Sequence, residues 1–195
     1  HLIYVPEVAF DEHQFLRDVD RVYSKYGRCL IAVSEGIHHA DGTPMMTKLM
    51  EEFEEDAHGN VQLSGTGALG DFLAQLIRTK LDDKLRVRAD TFGYMQRSFA
   101  GCISSVDALE ARQVGQSAAN LALAGEVDGS VSIDRMGNDP YRVEYRRVEL
   151  SDVAARSRTL DPEFIENGNN ITSAYHDYIA PLVGHMPVVE LLRAR

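Results

Sequence analysis

Two places in this sequence gather side chains able to hold a small, hydroxyl-bearing anion. The first is Arg88-Ala89-Asp90-Thr91-Phe92-Gly93-Tyr94-Met95-Gln96-Arg97, where two arginines and a tyrosine fall within ten residues. A guanidinium is a planar fork that meets two phosphate oxygens at once, and a phenol adds a neutral donor beside it. The second is Ser34-Glu35-Gly36, where the carboxylate of Glu35 can accept from sugar hydroxyls. Residue types alone leave the matter open, because arginines near strand ends are also commonly solvated or paired with carboxylates.

Three other spacings have chemical readings. Gly65-Thr66-Gly67-Ala68-Leu69-Gly70 fits GxGxxG and opens a helix, with Asp90 twenty residues after Gly70, the dinucleotide-binding arrangement of an NAD(P)-linked oxidoreductase. The preceding Asn60-Val61-Gln62-Leu63-Ser64 is short and polar where that fold needs an apolar strand, so a glycine-rich helix entry with close packing is the reading preferred. His38-His39 with Asp41 offers metal-type ligands, but adjacent residues in a Gly/Pro-rich loop rarely converge on one ion. Asn170-Ile171-Thr172 matches a glycosylation acceptor and reads instead as a turn and helix cap. The acidic run 51–56 reads as a solvated helix face, and Phe72, Leu73, Leu76 and Ile77 as a core stripe.

The elements that must position these groups alternate. Leu2 to Val5 reads as a strand, and Asp11 as the cap of a helix reaching Tyr26, with Phe10 and Phe15 at staple positions. Phe15, Val19, Val22, Tyr23 and Tyr26 form its stripe, and Gly27 ends it. The run Cys29-Leu30-Ile31-Ala32-Val33 has no alternation, which suits a parallel strand covered on both faces. An excursion over 36–64 with a possible acidic helix over 45–56, a helix over 68–81, a strand over 85–89 and a loop over 93–104 follow. Asp107 and Glu110 then read as a capping-box start for an alanine-rich helix ending at Gly125. Strands over 130–134 and 141–148 flank a turn, followed by a short helix after Asp152, a polar bend over 167–170 and a helix over 172–183. The expected class is α/β, a mostly parallel sheet with helices on both faces plus a C-terminal β-hairpin and helices. Ligands of such sheets sit at the carboxyl ends of the strands.

Composition bounds the partners. With 195 residues, 44% of them hydrophobic, the chain can bury one sizeable core, and residues 1–195 read as a single portion of a fold. A net charge of -10 repels phosphate backbones and anionic lipid, so neither nucleic acid nor membrane is an expected partner, while a few converging arginines still set a local field for a small anion. Cys29 and Cys102 have no paired spacing and read as reduced and buried in a cytoplasmic protein. No apolar run approaches the length of a membrane span, and no signal-like segment opens the chain. His1-Leu2-Ile3-Tyr4-Val5 begins without methionine and already in strand, which suggests a fragment.

The order Pro6-Glu7-Val8-Ala9-Phe10, Val33-Ser34-Glu35-Gly36 and Arg88-Ala89-Asp90-Thr91-Phe92-Gly93-Tyr94-Met95-Gln96-Arg97-Ser98 resembles the second half of phosphofructokinases, from about residue 3 to 125. The resemblance implies that Glu35 binds fructose 6-phosphate hydroxyls and that Tyr94 and Arg97 hold the sugar and its 6-phosphate. It implies that Arg88 reaches a neighbouring subunit's site, hence a homo-oligomer. Tyrosine at 94 is typical of pyrophosphate-dependent members where many ATP-dependent ones have histidine. The donor loop, the catalytic aspartates and the Mg2+ carboxylate belong to the preceding half, so no catalytic or metal-binding residue is assigned here and this chain alone is expected to be inert. The whole enzyme would transfer a phosphoryl group in line to the sugar 1-hydroxyl, from pyrophosphate or ATP, with this half positioning the acceptor. A non-catalytic regulatory half is the remaining alternative.

Overall fold

The structure is a computed structural model that describes residues 1–48, 68–93, 99–126 and 128–184. The chain divides into two compact units, one of His1–Ser98 with Thr159–Thr172 and the other of Phe99–Arg158 with Ser173–Arg195. Among the described residues no helix is long and apolar enough to cross a membrane.

The first unit opens with the expected strand, helix, strand. β1 (Leu2–Tyr4) pairs in parallel with β2 (Ile31–Val33), Leu2 opposite Ile31 and Tyr4 opposite Val33, and α1 (Glu12–Tyr26) forms the crossover. The Asp11 carboxylate accepts from the Gln14 amide at 2.6 Å, and Gly27, at φ 66°, closes the helix by donating to the Tyr23 carbonyl. Phe10 and Phe15 meet as anticipated, ring centres 5.3 Å apart, and the Tyr4 ring packs edge-on against both. Tyr23 and Tyr26 leave the stripe and are exposed, Tyr26 stacking on the His1 ring instead. Ile37, Met45 and Met46 cover one end of this core, with α2 (Ala68–Lys80) adding Leu69, Leu73, Leu76 and Ile77. Of the helix expected over 45–56, residues Met45–Lys48 form a 3-10 turn and the rest lies outside the described residues.

In the middle of the apolar stripe of α1 stands a carboxylate. Asp18 is only 3% exposed, and each of its oxygens is engaged. Oδ2 accepts from the Tyr4 hydroxyl at 3.1 Å and the Asn169 amide at 2.7 Å, while Oδ1 accepts from Gln14 Nε2 and Arg21 Nη2, both at 3.0 Å. Burial pushes its pKa up, but the bonds from Asn169, Arg21, Gln14 and Tyr4 outweigh that and hold it below the ordinary carboxylate value. Burial, with the Asp18 charge second, raises the Tyr4 phenol. Asn169 lies in the turn between β5 (Ile165–Glu166) and β6 (Asn170–Ile171), and its carbonyl accepts from the Ile3 amide at 2.9 Å. One carboxylate thus binds β1, α1 and the returning segment. Glu7 makes a second tie, accepting from the Leu160 amide at 2.8 Å.

The sheet is smaller than the sequence suggests. β2 is not covered on both faces: Ala32 is exposed and Leu30 is 73% exposed. Residues 85–89 keep the alternation of a strand, Leu85 and Val87 packing on the core with Arg86 and Arg88 exposed, yet join no ladder among the described residues. Alternation fixes which side chains point inward, but a ladder also requires a neighbouring backbone at about 4.8 Å. The fold is α/β with a small parallel sheet and helices.

In the second unit, Ser104 rather than Asp107 caps α3 (Ser105–Leu123), its Oγ accepting from the Asp107 amide at 3.1 Å. The start is therefore three residues earlier than the acidic pair suggests, since the hydroxyl reaches the third amide and Asp107 fills the favourable first turn. β3 (Ser130–Asn138) and β4 (Tyr141–Val148) make the expected hairpin. Glu110 is 7% exposed and accepts from the Tyr141 hydroxyl at 2.6 Å, holding α3 to the hairpin. The short helix, α4 (Leu150–Val153), contains Asp152 instead of following it, and α5 (Ser173–Val183) accepts from Ser104 Oγ at its Leu182 carbonyl, 2.6 Å. Both cysteines are free as expected, but Cys29 is half-buried and Cys102 exposed.

A carboxylate held below its unfolded pKa contributes stability that is present above pH ~4 and is lost as pH falls through the folded value. Asp18→Asn is therefore expected to cost about 2–4 kcal/mol in urea unfolding at pH 7, since an amide leaves several buried donors unanswered. It should also flatten the acid limb; equal stability of the two proteins at pH 7 would refute the role.

Candidate functional site

Glu35 sits two residues past the end of β2, and its surroundings are built by small groups. The Ser34 amide donates to the Tyr4 carbonyl at 3.0 Å, extending the pairing past the strand, and Ser34 Oγ accepts from the Gly36 amide at 3.2 Å. A side chain on Gly36 would stand 3.3 Å from Pro6 Cβ, so the chain passes close to the Pro6-Glu7 turn there. Ile37, with no exposed surface, then anchors the loop in the core. The result is a half-buried carboxylate whose backbone is pinned from both sides.

Residues 85–92 pass along a cavity of about 590 Å³. Its apolar wall comes from Phe15, Val19, Ile31, Leu73, Ile77 and Val87. Arg28, Arg86 and Arg88 line it as well, with Asp90 and Phe92. The segment is held by Arg78, whose Nη2 donates to the Val87 carbonyl at 2.6 Å, and by the approach of Ala89 to Gly70. Arg88 pairs with Asp90 at 3.3 Å, both well exposed, a contact worth little in water. Cationic forks over an apolar wall can bind an oxyanion; they supply no nucleophile and no general base.

The structure therefore brings Arg88 to this cavity with Asp90 and does not include Glu35 in its lining. Tyr94 and Arg97 lie outside the described residues. Arg28 and Arg86 escaped the sequence reading. Arg86 was accessible from period-two alternation with Arg88, whereas Arg28, beside the Gly27 cap, reaches the cavity only through the tertiary turn between α1 and β2.

The other spacings have local contacts of their own. Gly65 and Gly67 lie outside the described residues, but a Cβ on Gly70 would sit 2.9 Å from Ala89 Cβ, the close packing anticipated. His38 Nδ1 lies 2.7 Å from the His39 carbonyl in a tight loop closed by the His39 amide donating to Thr43. Among the described residues no group of three or more His, Cys, Asp or Glu is placed to hold a metal ion. Asn170 and Ile171 form β6 instead of the turn expected, and Thr172 Oγ1 donates to the Glu163 carbonyl at 2.8 Å.

No family model matches the chain. It is 52% identical over 195 residues to the pyrophosphate–fructose 6-phosphate 1-phosphotransferase of Rhodospirillum rubrum, aligning 99% of this chain with 48% of that protein. A protein of the same name from Halomonas elongata is 35% identical over 185 residues, covering 94% of this chain and 42% of the relative. The crystal structure of a pyrophosphate-dependent phosphofructokinase from Nitrosospira multiformis superposes with a TM-score of 0.74 at 26% identity, covering 98% of this chain and 42% of that one. The chain spans about half the length of the curated relatives it matches.

The contact between Gly70 and Ala89 can be tested alone. Gly70→Ala would ordinarily stabilise a helix interior, but here it is expected to destabilise by about 1–2 kcal/mol through overpacking. Adding Ala89→Gly should recover most of that loss in denaturant unfolding; a stabilised single variant, or no recovery, would remove the contact as the cause.

Proposed function

We propose that this chain, a phosphofructokinase-family segment about half as long as its matched relatives, is the acceptor-gripping C-terminal portion of a pyrophosphate-dependent 6-phosphofructokinase. The observation that carries the proposal is the ordered set Glu35, Arg88, Tyr94 and Arg97 within a chain similar along its whole length to pyrophosphate-dependent relatives. On this reading residues 1–195 act as one functional portion of a longer cytoplasmic chain that works as a homo-oligomer.

The chemistry assigned to this portion is positioning. Glu35 accepts from hydroxyls of fructose 6-phosphate, the Tyr94 phenol donates to the sugar phosphate, and the Arg97 fork neutralises the 6-phosphate. Arg88 reaches the adjoining subunit's pocket. Fixing the acceptor this way converts a bimolecular encounter into a nearly intramolecular one, with the 1-hydroxyl presented to the donor held by the other half. Mg2+, which the family implies, is assigned to that other half, because among the described residues no group of three or more His, Cys, Asp or Glu is placed to hold a metal ion. Pyrophosphate is preferred to ATP because of Tyr94 and because the relatives named above are pyrophosphate enzymes.

In the full-length enzyme, Arg97→Ala is expected to raise the Michaelis constant for fructose 6-phosphate by roughly tenfold to a hundredfold, the loss of a charge-assisted bond to the phosphate. An unchanged constant would end this assignment. Steady-state assays with each donor should show turnover with pyrophosphate and little with ATP, and the reverse preference would overturn the donor reading.

A further inference from the structure

The second unit holds a polar cavity of about 420 Å³ that the acceptor grip does not use, lined by Asp107, Glu110, Arg135, Tyr141, Arg158 and Tyr178 among others. Arg135 is held between two rings. The guanidinium carbon lies 4.8 Å from the Tyr141 ring centre and 4.3 Å from that of Tyr178. Its Nε donates to Asn138 Oδ1 at 2.7 Å, across the bulge between Arg135 and Gly137. Both terminal nitrogens, Nη1 and Nη2, are buried and have no hydrogen-bond partner among the described residues.

Ring faces stabilise the charge of a guanidinium but leave the directed N–H bonds of its fork unanswered. A buried polar group without partners is costly, and a native fold ordinarily supplies them. Two of the neighbouring carboxylates have donors of their own, and none of the three bonds the Arg135 terminal nitrogens. Glu110 accepts from Tyr141, and Asp134 accepts from Arg146 Nε at 3.0 Å and from Ser132 Oγ. The open valence of Arg135 therefore matches an oxyanion presenting two oxygens side by side, with exposed Arg158 as a second cation. Asp107 and Glu110 would repel a bare anion but accept from hydroxyl groups attached to it. The volume suits a small ligand of a few to a dozen heavy atoms rather than a polymer.

We propose that this cavity is a second ligand site for a hydroxylated phosphate monoester, its phosphate on Arg135 and Arg158 and its hydroxyls toward Asp107 and Glu110. The proposal stands apart from the acceptor grip, and the test separates them. Binding of glycerol 3-phosphate, with inorganic phosphate and glycerol as comparison probes, is measured by calorimetry on the full-length protein carrying Arg97→Ala. Saturable binding of glycerol 3-phosphate is expected to persist there, tighter than that of inorganic phosphate, and to weaken at least tenfold on adding Arg158→Gln or Arg135→Lys. Lysine keeps the charge while losing the fork; should that variant fail to fold, Arg158→Gln carries the test, because Arg158 is exposed. Absence of saturable binding, or affinity unchanged by either substitution, would overturn the proposal, and an affinity equal to that of inorganic phosphate would overturn the hydroxyl contacts.

Discussion

A charge buried in an apolar stripe organises the first unit. Carrying a carboxylate to near-complete burial is tolerable only when its lone pairs are answered, and four donors from three parts of the chain answer those of Asp18. Because removal of any donor leaves a costly orphan, the network sets where β1, α1 and the 165–171 turn must lie, beyond what hydrophobic contact alone would require. Aliphatic packing tolerates sliding; a set of directed bonds does not.

That constraint propagates to the candidate site. Tyr4, which donates to Asp18, also pairs through its backbone with Val33 and accepts from the Ser34 amide, so the position of Glu35 is tied to the buried carboxylate through one residue. The Pro6-Glu7 turn is held from the other side by the Leu160 amide and by Gly36 passing close beneath Pro6. Among the described residues, segment 85–90 shows no such network: Leu85 and Val87 pack on the core, the Leu85 amide donates to the Asp82 carbonyl, Arg78 donates to the Val87 carbonyl, and Gly70 leaves room for Ala89. Glu35 thus follows a strand tied to the buried network, and Arg88 stands on a segment held by other contacts.

The second unit follows another logic. α3 buries little besides Glu110, and its grip on the hairpin is polar, through Tyr141 and Tyr145 donating to Glu110 and Gln113. At the base of the hairpin Arg147 gathers Glu126, Asp128 and Glu149, and the carboxylates hold it in its charged form. Polar clamps of this kind leave Arg135 between two rings with its fork unspent.

Local signals decided the elements. Asp11 and Gly27 bracket α1, the stripe of Phe15, Val19 and Val22 gives its buried face, and the hairpin over 130–148 follows from its turn residues, because capping, periodicity and turn chemistry act within a few residues. The resemblance carried by Glu35, Arg88, Tyr94 and Arg97 was likewise written in the chain, since order and spacing are sequence properties. The hydroxyl cap at Ser104 was misplaced for the same local reason, an acidic first turn masking the residue before it. What no local signal could give is the partner of each buried group. Asp18 reads as one more acid on a helix until Asn169, 151 residues away, is brought beside it. Residues 85–89 read as a strand because alternation records which face is buried, whereas pairing depends on which backbone arrives alongside. Only the tertiary structure decided those meetings, because desolvation and directed hydrogen bonds act between groups that the chain itself keeps far apart.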